Sequence, residues 1–170
     1  LWATDHTGSS STPATALQLD WNGNIINQFD ISARYMSGIV YDKGDILLSR
    51  YYPGPGHFSP VNDSGTVLHQ FDGPDEQPRD LTIENGNIWI ADYWGDTLYC
   101  VDPITGSVIR SNPSEGIDPA GIVWDGQYLW YCDNGDNWDE DILYKVDLQG
   151  GGSPEIVISD SVHEFGNVAI

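Results

Sequence analysis

The chain is poor in positive charge. Its 170 residues carry six lysines and arginines against 26 aspartates and glutamates, for a formal charge of -20, and only Lys43 and Lys145 are lysines. Such a surface repels phosphate backbones and anionic lipid, which argues against nucleic-acid and membrane partners. No apolar run is long enough to span a bilayer. The two cysteines, Cys100 and Cys132, are too few for a disulfide framework, and no Cys/His spacing suggests zinc. They read as small thiols of a core. Sustained helical periodicity is also missing, which leaves an all-β chain. The chain opens inside a strand-like run, "LWATD", and reads as mature or as cut from something longer.

What is present is repetition. "GNIWIADYWGDTLYCVDPITGSVIR" (86–110) and "GQYLWYCDNGDNWDEDILYKVDLQGG" (126–151) share one grammar. Each runs from an apolar strand through an Asp-led loop to a strand ending "VD", a Gly turn and a β-branched run. "LWATD" with "ALQLDWNGNIINQF" and "DILLSR" with "VNDSGTVLHQF" are two more copies. Their turn glycines, Gly23, Gly65, Gly106 and Gly150, are 42, 41 and 44 residues apart. A further strand precedes three copies, joined through Lys43-Gly44, Asn85-Gly86 and Asp125-Gly126, pairs that suit tight hairpins.

Four short antiparallel strands at a period just above 40 residues specify a β-propeller with about four four-stranded blades in one domain, 1–170. The units are 1–29, 37–71, 79–110 and 119–158. The first lacks its opening strand, which the last stretch, 163–170 with "NVAI", is expected to supply, so that both chain ends share one blade. The same pairing made between chains gives a larger or dimeric ring.

The motifs "IWIADYWGDTLYCVDPITGSV" and "GIVWDGQYLWYCD" resemble the NHL, YWTD and streptogramin-lyase-like propellers. That resemblance implies that loops joining strands two and three, and loops between blades, share one ligand-binding face. The first set is "DHTGSSSTPAT", "RYYPGPGH", "DYWGDT" and "DNGDNWDED"; the second is "DISARYMS", "DGPDEQPRD", "SNPSEGIDP" and "SDSVHEF". The family includes scaffolds, binders and a few enzymes, so function must come from the site. One copy departs from the pattern: Arg50 stands where the others have Asp5, Asp92 and Asp133.

Those three aspartates end the same strand and are expected to hydrogen-bond loop amides. Trp2, Trp89 and Trp130 recur at one strand position and read as core between blades. Arg50, Tyr51, Tyr52, Tyr93, Trp94 and Trp138 lie in the loops and are candidates for a stacking surface that takes a protein, peptide or carbohydrate ligand. Asp133, Asp136, Asp139 and Asp141 are candidate calcium ligands, because calcium accepts oxygens in irregular loops, although the EF-hand spacing is absent. His6, His57 and His163 fall on the same face and would serve a metal-assisted lyase or hydrolase. The leading expectation is a binding or scaffold module. The charge and the wealth of Asp, Trp, Tyr and Gly suggest an extracellular, periplasmic or cell-surface location. A homodimer and a structural segment of a larger ring are the further alternatives.

Overall fold

The computed structural model describes residues 1–5, 13–31, 35–52, 56–134, 142–148 and 155–158, the last as backbone only. The strand expected at 167–170, and with it the shared blade, lies outside these residues. Among the described residues there is no helix, and 15 strands form four antiparallel sheets. The first sheet holds β1 (Trp2–Thr4), β2 (Ala14–Leu19) and β3 (Ile25–Ile31). The second holds β4 (Met36–Asp42), β5 (Asp45–Arg50), β6 (His57–Val61) and β7 (Phe71–Asp72). The third is β8 (Pro78–Glu84), β9 (Asn87–Asp92), β10 (Thr97–Val101) and β11 (Val108–Pro113). The fourth is β12 (Gly121–Trp124), β13 (Leu129–Cys132), β14 (Leu143–Val146) and β15 (Glu155–Ile158). Each sheet is a meander in which strands pair in chain order.

The turns explain why these strands reverse where they do. Gly23, Gly65 and Gly106 have φ of 84°, 80° and 71°, in the left-handed region that a side chain disfavours. Three residues before each glycine or one further back, a short polar side chain closes the loop. Asp20 accepts the amides of Asn22 and Asn24, Asn62 those of Ser64 and Thr66, and Asp102 those of Ile104 and Thr105. These Asx turns satisfy backbone donors that the sheet cannot reach. Lys43-Gly44 and Asn85-Gly86 both carry two positive φ values, as a primed two-residue hairpin requires.

The sheets stack through three apolar clusters. Ala14, Ala16 and Ile31 meet Met36, Ile46, Leu48 and Val61 between the first and second sheets. Leu47, Phe58 and Phe71 meet Leu81, Ile88, Ile90 and Val101 between the second and third. Trp89, Ala91, Leu98 and Cys100 meet Ile122, Leu129, Tyr131, Tyr144 and Val146 between the third and fourth. Alternate residues of each middle strand thus face opposite neighbours, the period-2 pattern of a strand buried on both sides. Polar bonds stitch the first strands of successive sheets together. Ser37 Oγ donates to Pro78 O at 2.7 Å, and Asp80 Oδ2 and Thr82 Oγ1 accept the amides of Ile122 and Trp124, each at 3.1 Å.

The tryptophan expectation needs correction. Trp89 is buried at 2% exposure, but Trp2 and Trp130 are only half-buried. Trp130 shares its side of the fourth sheet with Val123 and Leu143, which are 55% and 36% exposed. No further sheet covers that side among the described residues, so the indole N–H turns to Asp125 Oδ2 at 2.7 Å. Trp2 packs on Phe29 and Tyr41 at the edge of the first cluster. Of the two cysteines, Cys100 is fully in the core and Cys132 is half-buried.

Trp89→Ala should therefore cost about 3–5 kcal/mol of unfolding free energy, and Trp130→Ala roughly 1 kcal/mol. Urea unfolding of the two variants checks this, and equal losses would contradict the assignment of Trp89 alone to a closed interface.

Candidate functional site

The two sets of loops do share a face. The Tyr51 amide donates to Tyr35 O, that of Gly56 to Asp75 O and that of Tyr93 to Gln77 O, so the turns after the second strands of the second and third sheets are laced to loops entering blades. Asp96 then accepts from the Ser114 amide through its carbonyl and from the Asp118 amide through its carboxylate. The loops between strands are thus clamped across blades, which fixes the side chains they carry.

The recurrent strand-ending aspartates supply part of the clamp. Asp92, 1% exposed, accepts the Gly95 amide at 2.8 Å and the Gln77 amide at 3.2 Å. Asp133, 5% exposed, accepts the Ile142 amide at 2.7 Å and the Tyr144 hydroxyl at 3.0 Å. Asp5 accepts the Thr15 amide. A short carboxylate at the strand end reaches amides that the turn leaves without strand partners.

Above this clamp lies an aromatic cluster built from three blades. The Arg79 guanidinium lies over the rings of Tyr51 and Tyr93, 5.0 and 4.4 Å from their centroids. Tyr35 makes edge-on contacts to Tyr51 at 5.9 Å and Tyr52 at 5.0 Å. The Asn134 side-chain amide donates to the Tyr93 hydroxyl at 3.2 Å. Met36, Ser37, Tyr51, Arg79 and Ala120 line a cavity of about 340 Å³ beside the cluster. Tyr52 and Trp94 stand out into solvent at 54% and 63% exposure.

Of the residues expected on this face, Tyr51, Tyr52 and Tyr93 belong to the cluster, and Trp94 occupies the Tyr93–Asp96 turn. Arg50 ends β5 with its Nε buried and without a hydrogen-bond partner among the described residues. His57 does not meet a histidine in the described residues; its Nδ1 lies 2.6 Å from Asp72 Oδ1. Asp133 is engaged by Ile142 and Tyr144, as above. His6, His163, Trp138, Asp136, Asp139 and Asp141 lie outside the described residues. Sequence reasoning overlooked Arg79, Tyr35 and Asn134. Arg79 stands where the loop "DGPDEQPRD" passes into a strand, and only the stacking of blades places its guanidinium over two loop tyrosines. For Tyr35 a signal existed: it is the one aromatic in its blade-connecting loop.

Burial shapes the electrostatics. The Asp92 carboxyl is pushed up to about 6, first by burial and then by neighbouring Asp75, while the Gly95 and Gln77 amides pull the other way. Burial also raises Asp80, against the Ile122 amide. Tyr131 is raised to about 12 by burial, and Tyr144 is raised by burial and by its bond to Asp133. None of these groups forms a nucleophile–base pair of the kind that acyl transfer requires.

No family model matches the chain, and no curated protein matches it. Solved structures do. The chain is similar to a chain of a nidogen/laminin complex, with a TM-score of 0.68 at 16% identity over 95% of this chain and 62% of that one. It is similar to the WD40 domain of Neurospora crassa Pan2, with a TM-score of 0.58 at 15% identity over 85% of this chain and 49% of that one. The fold is a β-propeller. A third match, Myxococcus xanthus glutaminyl cyclase, has a TM-score of 0.58 at 16% identity over 86% of this chain and 75% of that one. The propeller matches span several types and single out no repeat family. At these identities the likeness concerns the fold alone, and the chain spans about half the length of the Pan2 domain.

The raised Asp92 carboxyl makes stability depend on pH. Between about pH 4 and 6 the native protein keeps a proton that the unfolded chain, with an ordinary Asp near 3.9, has lost. Stability must then fall as pH rises through this window, and the cost of the buried charge is fully present above about pH 6. Asp80 and the net negative charge act in the same direction. Asp92→Asn should therefore show a smaller change in urea midpoint between pH 4 and 7 than the parent protein; an equal change would remove Asp92 as a cause.

Proposed function

We propose that this propeller is a binding module, and that its loop face takes a protein or peptide ligand. The observation that carries the reading is the Tyr35, Tyr51, Tyr52 and Tyr93 cluster, assembled around Arg79 from several blades and opening on a cavity. Rigid aromatic side chains with a polar tip give large contact area at low entropic cost, and such residues dominate the energetics of protein recognition. Propellers of known structure include a WD40 domain and a partner in a nidogen/laminin complex, which supports recognition of other proteins as the general role. The acidic, lysine-poor surface suits a protein that works at or outside the cell surface.

One observation favours a second reading, a lyase or hydrolase on the same face. The His57–Asp72 pair is the arrangement in which a carboxylate orients an imidazole to act as a base. No group of three metal-ligating side chains accompanies it among the described residues.

The test is a screen of immobilised peptides and glycans with the parent protein and the variants Tyr52→Ala and Trp94→Ala. Both residues are exposed, so melting should be unchanged. Binding to the peptides retained should weaken by roughly tenfold or more. Peptide binding that both variants leave untouched, or retention of glycans only, would contradict the reading. Turnover that is lost in His57→Asn would favour the second one.

A further inference from the structure

We infer that Arg79 anchors a carboxylate-binding subsite in the cavity at the mouth of the propeller, an inference that rests on the loop face being a ligand surface. The chain has four arginines among 26 acidic residues. Among the described residues no arginine is paired with a carboxylate, and Arg110 donates instead to Asn112 Oδ1 and Leu148 O. The ion pairs among the described residues are Lys43–Asp42 and His57–Asp72. The Nε of Arg79, like that of Arg50, is buried and has no hydrogen-bond partner among the described residues. Leaving a buried charged donor unsatisfied is costly, more so than for a neutral group. What sets Arg79 apart from Arg50 is that it lines the cavity and lies over two tyrosine rings.

The surroundings favour this reading. The rings of Tyr51 and Tyr93 stabilise the positive charge through their faces, without using any N–H donor. They hold the planar guanidinium in one orientation beside the cavity that Arg79 lines. Ser37 and Ala120 come from the neighbouring blades and line an open cavity of about 340 Å³, to which Met36 adds an apolar wall. That volume suits one acidic side chain or a small acid. A carboxylate carries one negative charge to match one guanidinium. Phosphate would bring nearly two into the field of a chain with a net charge of -20. The long-range repulsion is screened beyond roughly 10 Å at 0.1 M salt, so a single carboxylate held by Arg79 is favoured locally.

The arginine Nε–Hε resonances offer a direct test, because four arginines give few peaks. With Arg79 assigned through Arg79→Lys, the protein is titrated at constant ionic strength with N-acetylglutamate, glucuronate, inorganic phosphate and N-acetylglutamine. Arg79 should shift saturably with one or both carboxylates, and the stronger of the two tells whether the acid sits on a peptide or a sugar. No saturable shift, an equal shift with neutral N-acetylglutamine, or a response to phosphate alone would overturn the inference. Arg79→Gln, with its melting checked, should weaken acidic peptides found in the array screen by roughly tenfold or more. Peptides that are lost in Tyr52→Ala but bind Arg79→Gln as tightly as the parent would sink this subsite and leave the binding face standing.

Discussion

The packing of one blade against the next is the constraint on which the rest depends. A sheet of three or four short strands cannot bury its own apolar faces, so each middle strand offers alternate residues to the blade before and the blade after. Trp89, Leu98 and Cys100 close on Tyr131 and Tyr144, while Ile88 and Ile90 of the same blade close on Leu47 and Phe58. The bonds from Ser37, Asp80 and Thr82 to the neighbouring first strand fix the relative height of the blades. Once that height is set, loops distant in sequence come to share one surface. The Tyr51–Arg79–Tyr93 cluster is a product of this stacking and of no local feature.

The abundance of aspartate has a physical account. Asp outnumbers Glu by 20 to six, and the shorter side chain is the one able to reach backbone amides of its own turn. Asp20, Asp102 and Asp125 do so in hairpins, Asp5, Asp92 and Asp133 at strand ends, and Asp80 between blades. Much of the charge thus serves the fold. Among the described residues Arg79 is a cation without a carboxylate partner, its guanidinium set over two tyrosine rings.

The sequence revealed the fold in proportion to how local its determinants are. The turn glycines, the Asx residues before them and the strand alternation act within a few residues, so the period and the four sheets could be read directly. The strand-ending aspartates were legible for the same reason. Recurrence was a poorer guide to burial. Trp2, Trp89 and Trp130 occupy one position in the repeat, yet their exposure depends on what lies beside each blade, as Val123 and Leu143 next to Trp130 show. The candidate site was half legible. Tyr51, Tyr52 and Tyr93 announced themselves as loop aromatics, whereas Arg79 sits in a strand, and only stacking between blades places its guanidinium over tyrosines from two different loops.

The central claim is that the loop face is preformed, held by blade packing and buried aspartates before any ligand arrives. Native-state hydrogen exchange of the Gly95, Gln77 and Ile142 amides tests it most directly, since these loop amides donate to Asp92 and Asp133. The account predicts exchange slowed by roughly a hundredfold or more relative to an unstructured chain, close to that of neighbouring strand amides. Exchange at the unstructured rate, with the strands still protected, would contradict it.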